Sequence, residues 1–315
     1  MKVPTLGTSV YNAVVRTGTR AVANLTGLGF TPDTAFVFDR NAQSADSWFD
    51  RLRGVGIRLR PHDTGAEQTF SDTVTAFNMD GISYGADATA NSVNYSLTSN
   101  AYINWFFRRA PGFFDEVCYT GTGSALNPTH SLGVTPELKI IKSRSGAVAW
   151  IVGGSVIGGG VNFYMFLETN AIVESTNYWS SGSDSATTFS TRAGNSTSNS
   201  SGQTYVAYLF ATCAGVSKVF SYTGNGSSQT INCGFTGGAR FVLIKRTDST
   251  GDWYVWDSAR GIVAGNDPHL SLNTTAAEVT TDDSVDTDNT GFIVNQVAAT
   301  NVNVSSATYI GLAVA

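Results

Sequence analysis

The chain has 315 residues, of which 42% are apolar and 14% charged, with 33 glycines and a net charge of −5. The apolar share argues against global disorder, and the lack of any basic block argues against a nucleic-acid footprint. No apolar run approaches the roughly 18–20 residues of a membrane helix, and "MKVPTLGTSV" lacks the apolar stretch of a secretory signal.

In chain order, a set of landmarks is met three times. A Thr-Gly turn comes first, at Thr17-Gly18, Thr120-Gly121 and Thr223-Gly224, in steps of 103 residues. A second glycine turn follows ("GFTP", "GVTP", "GFTG"), then an apolar run ("AFVFDR" at 35–40, "LKIIK" at 138–142, "FVLIK" at 241–245). These runs are too short for a helix and rich in β-branched and aromatic residues, as strands buried on both faces are. Next come Trp48, Trp150 and Trp253, then Leu59, Leu167 and Leu272, then Phe77, Phe189 and Phe292. Each set closes on an aromatic-led strand: "YINWFF" (102–107), "YVAYLF" (205–210), "YIGLAV" (309–314).

This order predicts an all-β chain of three tandem β-sandwich (jelly-roll-like) repeats of about 100 residues each. The boundaries are a short N-terminal arm at 1–10, a divergent repeat at 11–112, and repeats at 113–215 and 216–315. The joints "RRAPGFF" and "ATCAGVS" read as short hinges, so neighbouring repeats should touch. Trp150 and Trp253, each lying just beyond a buried strand, are expected to be mostly buried and to pack within their own repeats.

Chemistry is sparse. There is no GxSxG, HExxH or phosphate-binding loop, and ionisable residues do not recur as the glycines do. No catalytic, cofactor or metal residue is nominated, and the chain is read as a non-enzyme. Cys118, Cys213 and Cys233 form no CxxC and read as buried free thiols of a reducing compartment. The acidic run "TTDDSVDTDNTG" (280–291) offers Asp282, Asp283, Asp286 and Asp288 but lacks calcium-loop spacing, so it reads as a solvated loop. Two groups are candidate ligand or interface contacts. Arg40, Lys142 and Lys245 each stand eight residues before a tryptophan; an edge-of-strand cation laid over an aromatic face fits better than a ligand contact. Tyr178 and Trp179, in the polar stretch "STNYWSSGSD", suit sugar stacking, a module cap or a contact with a neighbouring chain.

"WFFRRAPGFFDEVCYTGTG" (105–123) followed by "HSLGVTPELKIIKSRS" (130–145) resembles a repeat module of tailed-bacteriophage virion proteins, and "FSTRAGNSTSNSSGQTYVAYLFA" (189–211) resembles the end of that module. The resemblance is clearest over 105–315. It implies a virion structural protein made in the host cytoplasm, a tail-fibre or spike component that contributes to host attachment. A head decoration protein or head fibre is the alternative, and a glycan-binding or glycan-degrading enzyme a third reading. The implied partners are other virion proteins, further copies of the chain (a trimer, by analogy with fibres) and a host-surface glycan, with no nucleic acid and no membrane insertion. No catalytic residue and no cofactor carries over.

Overall fold

Three long strands pair in the same way three times in the computed structural model, which describes residues 2–41, 46–87, 93–95, 100–158, 162–175, 178–179 and 184–315. The chain is all-β. In the first module the opening strand Tyr11–Thr17 pairs with the closing strand Ala101–Phe107, which pairs with the central strand Thr34–Asp39 and then Ser47–Asp50. In the second, Phe114–Thr120, Thr204–Phe210, Leu138–Ser143 and Ile151–Gly153 follow in the same order, extended by Phe163–Phe166 and Glu174–Ser175. The third repeats it with Ser217–Thr223, Thr308–Val314, Phe241–Arg246 and Trp253–Asp257, then His269–Ser271. Every one of these pairings is antiparallel.

The central strands are buried almost end to end because each sheet has two covered faces. One face meets its own module's second layer. In modules one and three that layer is a three-stranded sheet: Ala23–Thr26, Gly81–Tyr84 and Val74–Asn78, or Gln229–Asn232, Gly291–Val294 and Val285–Asp288. These two are sandwiches. The second module departs from the expected sandwich: among its described residues no second sheet forms, and Leu132, Tyr178, Trp179 and Phe189 cover the face from irregular segments.

The other face of each sheet turns towards the other two modules. One continuous apolar cluster takes residues from all three, including Phe36, Trp48, Trp105 and Phe107, then Leu138, Trp150 and Phe210, then Phe241, Trp253 and Leu312. The Phe107 ring lies 5.9 Å from Phe210 and 5.5 Å from Phe241. This corrects the expectation that Trp150 and Trp253 pack within their own repeats. A sheet of this size cannot cover both faces with one small layer, so the modules bury their remaining apolar faces against each other.

The Thr-Gly turns have a common cause. A Cβ on Gly18, Gly121 or Gly224 would stand 2.2, 2.3 or 2.2 Å from a carbonyl oxygen, of Tyr95, Ser200 and Val304 respectively. Only glycine allows the backbone to pass that close. Beside each turn a fully buried asparagine, Asn94, Asn199 or Asn303, accepts the N–H of the residue after that glycine: Thr19, Thr122 or Asn225. Tyr102, Tyr205 and Tyr309, each the second residue of a closing strand, donate their hydroxyls to carbonyls of the same loops.

Candidate functional site

The seams between modules hold several of the chain's buried charges. After its fourth strand each module sends a strap across to the next module. The Glu67 N–H donates to the Arg144 carbonyl, the Val173 N–H to Thr247, and the Glu278 N–H to Arg40. The third of these runs from the last module to the first, so the three modules close into a ring.

Strand register shows which residues are equivalent. The closing strands place Phe38, Lys142 and Lys245 opposite Ile103, Val206 and Ile310. Arg40 is thus two residues out of the expected set, and its true counterpart is Arg144. Arg40 and Arg144 do the same work: Arg40 forks onto Glu278 at 2.6–3.0 Å, and Arg144 onto Glu67 at 2.9–3.1 Å. Lys142 and Lys245 are fully buried and donate to strap carbonyls of the preceding module, Lys142 to Thr64 at 3.1 Å and Lys245 to Ala171 at 2.8 Å. Burial pulls both pKa values down to about 8, which leaves each amine an ammonium at neutral pH, suited to a nest of carbonyl oxygens. The same register separates Trp48 from Trp150 and Trp253: Trp48 pairs with Phe36, where Val152 and Val255 pair with Ile140 and Leu243. The indole N–H of Trp150 reaches across its seam to the Arg60 carbonyl, and that of Trp253 to the Phe166 carbonyl. Glu168 and Asn273, unlike in charge, each accept the backbone N–H of that tryptophan.

Deeper in each seam the three interfaces differ in chemistry. Between modules one and two, Asp50 and Arg53 form a fully buried ion pair, Tyr208 donates to Asp50 at 2.6 Å, and Glu116 lies opposite Tyr208. Between three and one, Asp257 and Arg260 pair at 2.6 Å, Trp105 donates to Asp257 at 2.8 Å, and Ala13 lies opposite Trp105. Between two and three these positions are Gly154, Ile157, Leu312 and Val219, and no charge is present among them. The ion pair is found where the facing strand supplies a donor, and it is missing where that strand supplies leucine. Glu116 has no such match. Its carboxyl is fully buried, neither oxygen has a hydrogen-bond partner among the described residues, and burial followed by the charges of Asp50 and Asp33 pushes its pKa well above the usual carboxylate range.

Tyr178 and Trp179 are inside the second module, not on its surface. Trp179 donates to the Phe163 carbonyl at 2.9 Å with the Lys139 ammonium 4.0 Å above its ring, and Tyr178 packs on Tyr164 and donates to Asn195. They fill the space that a second sheet fills in the other modules, so neither ring presents a free face for stacking.

From the acidic run, Asp283 and Asp286 meet Asp267, with one oxygen of each within 4.8 Å of the others. Asp282 turns instead to Ser284, and Asp288 to Thr290. Three carboxylates so close are a set that a hard cation could use. Their oxygens are already engaged: the Val263 and Val285 N–H groups donate to Asp267, that of Gly265 to Asp286, and the Asn295 amide spans Asp283 and Asp286. Burial, then the charges of Asp286 and Asp283, push Asp267 up to about 7, so near neutral pH a proton balances the cluster. The three thiols are free, and burial raises Cys118 to about 11 and Cys233 to about 12, which makes them poor nucleophiles.

Residues 7–315 match, as one unit spanning all three modules, a family described as a domain of unknown function, DUF7483. The chain belongs to the DUF7483 family. The match runs from the Gly7 turn, just ahead of the first opening strand, through all three modules. No curated protein matches the chain. Sequence reasoning missed most of what holds this DUF7483 ring together. The paired Asp-x-x-Arg at 50–53 and 257–260 is legible as a spacing, but its burial depends on the neighbouring module. The step from Asn94 to Asn199 to Asn303 was available as a repeat signal alongside the glycines.

Proposed function

We propose that this chain is a non-enzymatic structural protein of a tailed-bacteriophage virion, a tail-fibre or spike component that contributes to host attachment. The observation that carries the reading is the use to which buried charge is put: Asp50 and Asp257, each neutralised by an arginine of its own module, accept Tyr208 and Trp105 of the next, and Lys142 and Lys245 reach carbonyls of the preceding module, so all four tie module to module. Charged groups held in this way build a rigid block, as a component under mechanical load requires. The resemblance of 105–145 and 189–211 to virion repeat modules supplies the location. Fold-level likeness alone is weak warrant for function, so the test is one of location. Gold-labelled antibody against the chain should decorate the tails of intact particles. Label confined to the head would overturn the tail assignment in favour of a decoration protein, and label on neither would overturn the virion reading altogether.

A further inference from the structure

A cleft of about 200 Å³ opens in the third module between the strand His269–Ser271, the ring of Tyr254 and the strap that carries Ala276, Ala277 and Val279. The strap wall is fixed, because Glu278 is held by both Arg40 and Arg260. His269 and Asp282 line the cleft, with 4% and 7% of their surface exposed. The Nδ1 of His269 is 3.5 Å from Oδ1 of Asp282. Neither that nitrogen nor Oδ2 of Asp282 has a hydrogen-bond partner among the described residues. Two adjacent polar groups, nine-tenths buried and unsatisfied, are costly unless something in the cleft bonds to them.

The surroundings narrow what that is. Asp252 and Asp282 both line the cleft, and their charge disfavours an anion. Ser271 adds a hydroxyl, and half-buried Tyr254 adds a flat apolar wall edged by its own hydroxyl. His269 is held by ring contacts to Tyr254 and Trp256, with centroids 5.3 and 5.4 Å away, so its nitrogen is fixed in direction. A carboxylate acceptor and an adjacent imidazole nitrogen, which accepts or donates according to its tautomer, beside an aromatic wall match two neighbouring hydroxyls, which can do either, on a ring with an apolar face. We propose that this cleft binds one neutral pyranose residue, with a vicinal diol on His269 Nδ1 and Asp282 Oδ2 and the sugar face against Tyr254. The site goes beyond the structural role above and does not rest on it; it exists in the third module wherever the protein is located.

The test uses the intact chain. Saturation-transfer NMR with the methyl glycosides of glucose, galactose, mannose and N-acetylglucosamine should show at least one bound, with a Kd on the order of 1 mM for so small a ligand. Asp282→Asn should weaken that binding by about tenfold. Because Asp282 is buried, a second variant is needed: Ala277→Phe, at an exposed position on the rim, should block the cleft and abolish binding with an unchanged melting temperature. Labelled His269 should shift its ring resonances with the sugar in the wild type alone. The proposal is overturned if none of the four glycosides binds, if binding survives both variants, or if zinc alone shifts the His269 ring and the sugars do not.

Discussion

The rings of Trp48 and Trp150, from different modules, stack across their seam with centroids 5.2 Å apart and planes 14° apart. Tyr208 stacks on Trp48 at 4.0 Å and lies 6.4 Å from Trp150, so the three rings form one cluster. Trp150→Ala should therefore cost about 3–5 kcal/mol, the usual range for a buried tryptophan, and should loosen the first module as well as its own. Hydrogen exchange of the strand Ser47–Asp50 in that variant checks this; protection unchanged there would mean the stacking holds nothing.

Glu116 is a buried carboxyl at a position where the other seams have Ala13 and Val219. Glu116→Val should raise stability by about 1–4 kcal/mol, the range seen when buried ionic groups give way to apolar ones. The sign with pH follows. The folded pKa lies above the unfolded one, so the native contribution of Glu116 is present at low pH and lost as pH rises. The advantage of valine should accordingly be larger at pH 8 than at pH 5, by denaturant titration at each.

Arg53 neutralises Asp50 at a place where both side chains are fully buried. Arg53→Met should cost about 3–5 kcal/mol, because it strands a buried carboxylate. Moving the apolar seam into this place, with Asp50→Gly, Arg53→Ile, Tyr208→Leu and Glu116→Val together, should recover most of the loss. Chemical melts of the single and fourfold variants decide it; a fourfold variant less stable than Arg53→Met would show that the charged seam is required by its packing shape.

Asp267 supplies a pH signature of its own. Its folded pKa of about 7 stands above the unfolded value, so its contribution is complete below about pH 4 and disappears as pH rises through 7. Asp267→Asn carries no such titration. The melting temperature of the wild type relative to Asp267→Asn should be highest near pH 4 and fall steadily towards pH 8. A difference that stays flat over that range contradicts the assignment of the proton to this cluster.

Much of the fold was legible because glycine turns and closing strands are set within one module. Gly18, Gly121 and Gly224 are fixed by their own loops, and Tyr102, Tyr205 and Tyr309 by hydroxyl bonds to the same loops. The strands were readable from their β-branched and aromatic runs. What escaped depends on the neighbouring module. Spacing set Arg40 beside Lys142, whereas hydrogen-bond register sets it beside Arg144, because Trp48 and the strand carrying it sit two residues out of step. Tyr178 and Trp179 looked exposed in a polar stretch, yet with no second sheet beside them they became the core. Asp267 lies outside the acidic run it completes, and no local spacing links it to Asp283 and Asp286.

The central claim is that the three modules share one core and close into a ring through the straps at Glu67, Val173 and Glu278. Scanning calorimetry of the intact chain beside residues 216–315 alone tests it most directly. The account predicts one cooperative transition for the intact chain and no cooperative transition for the isolated third module, whose Trp253, Leu243 and Leu312 would lose their partners to water. A third module that melts on its own at the temperature of the intact chain would contradict it.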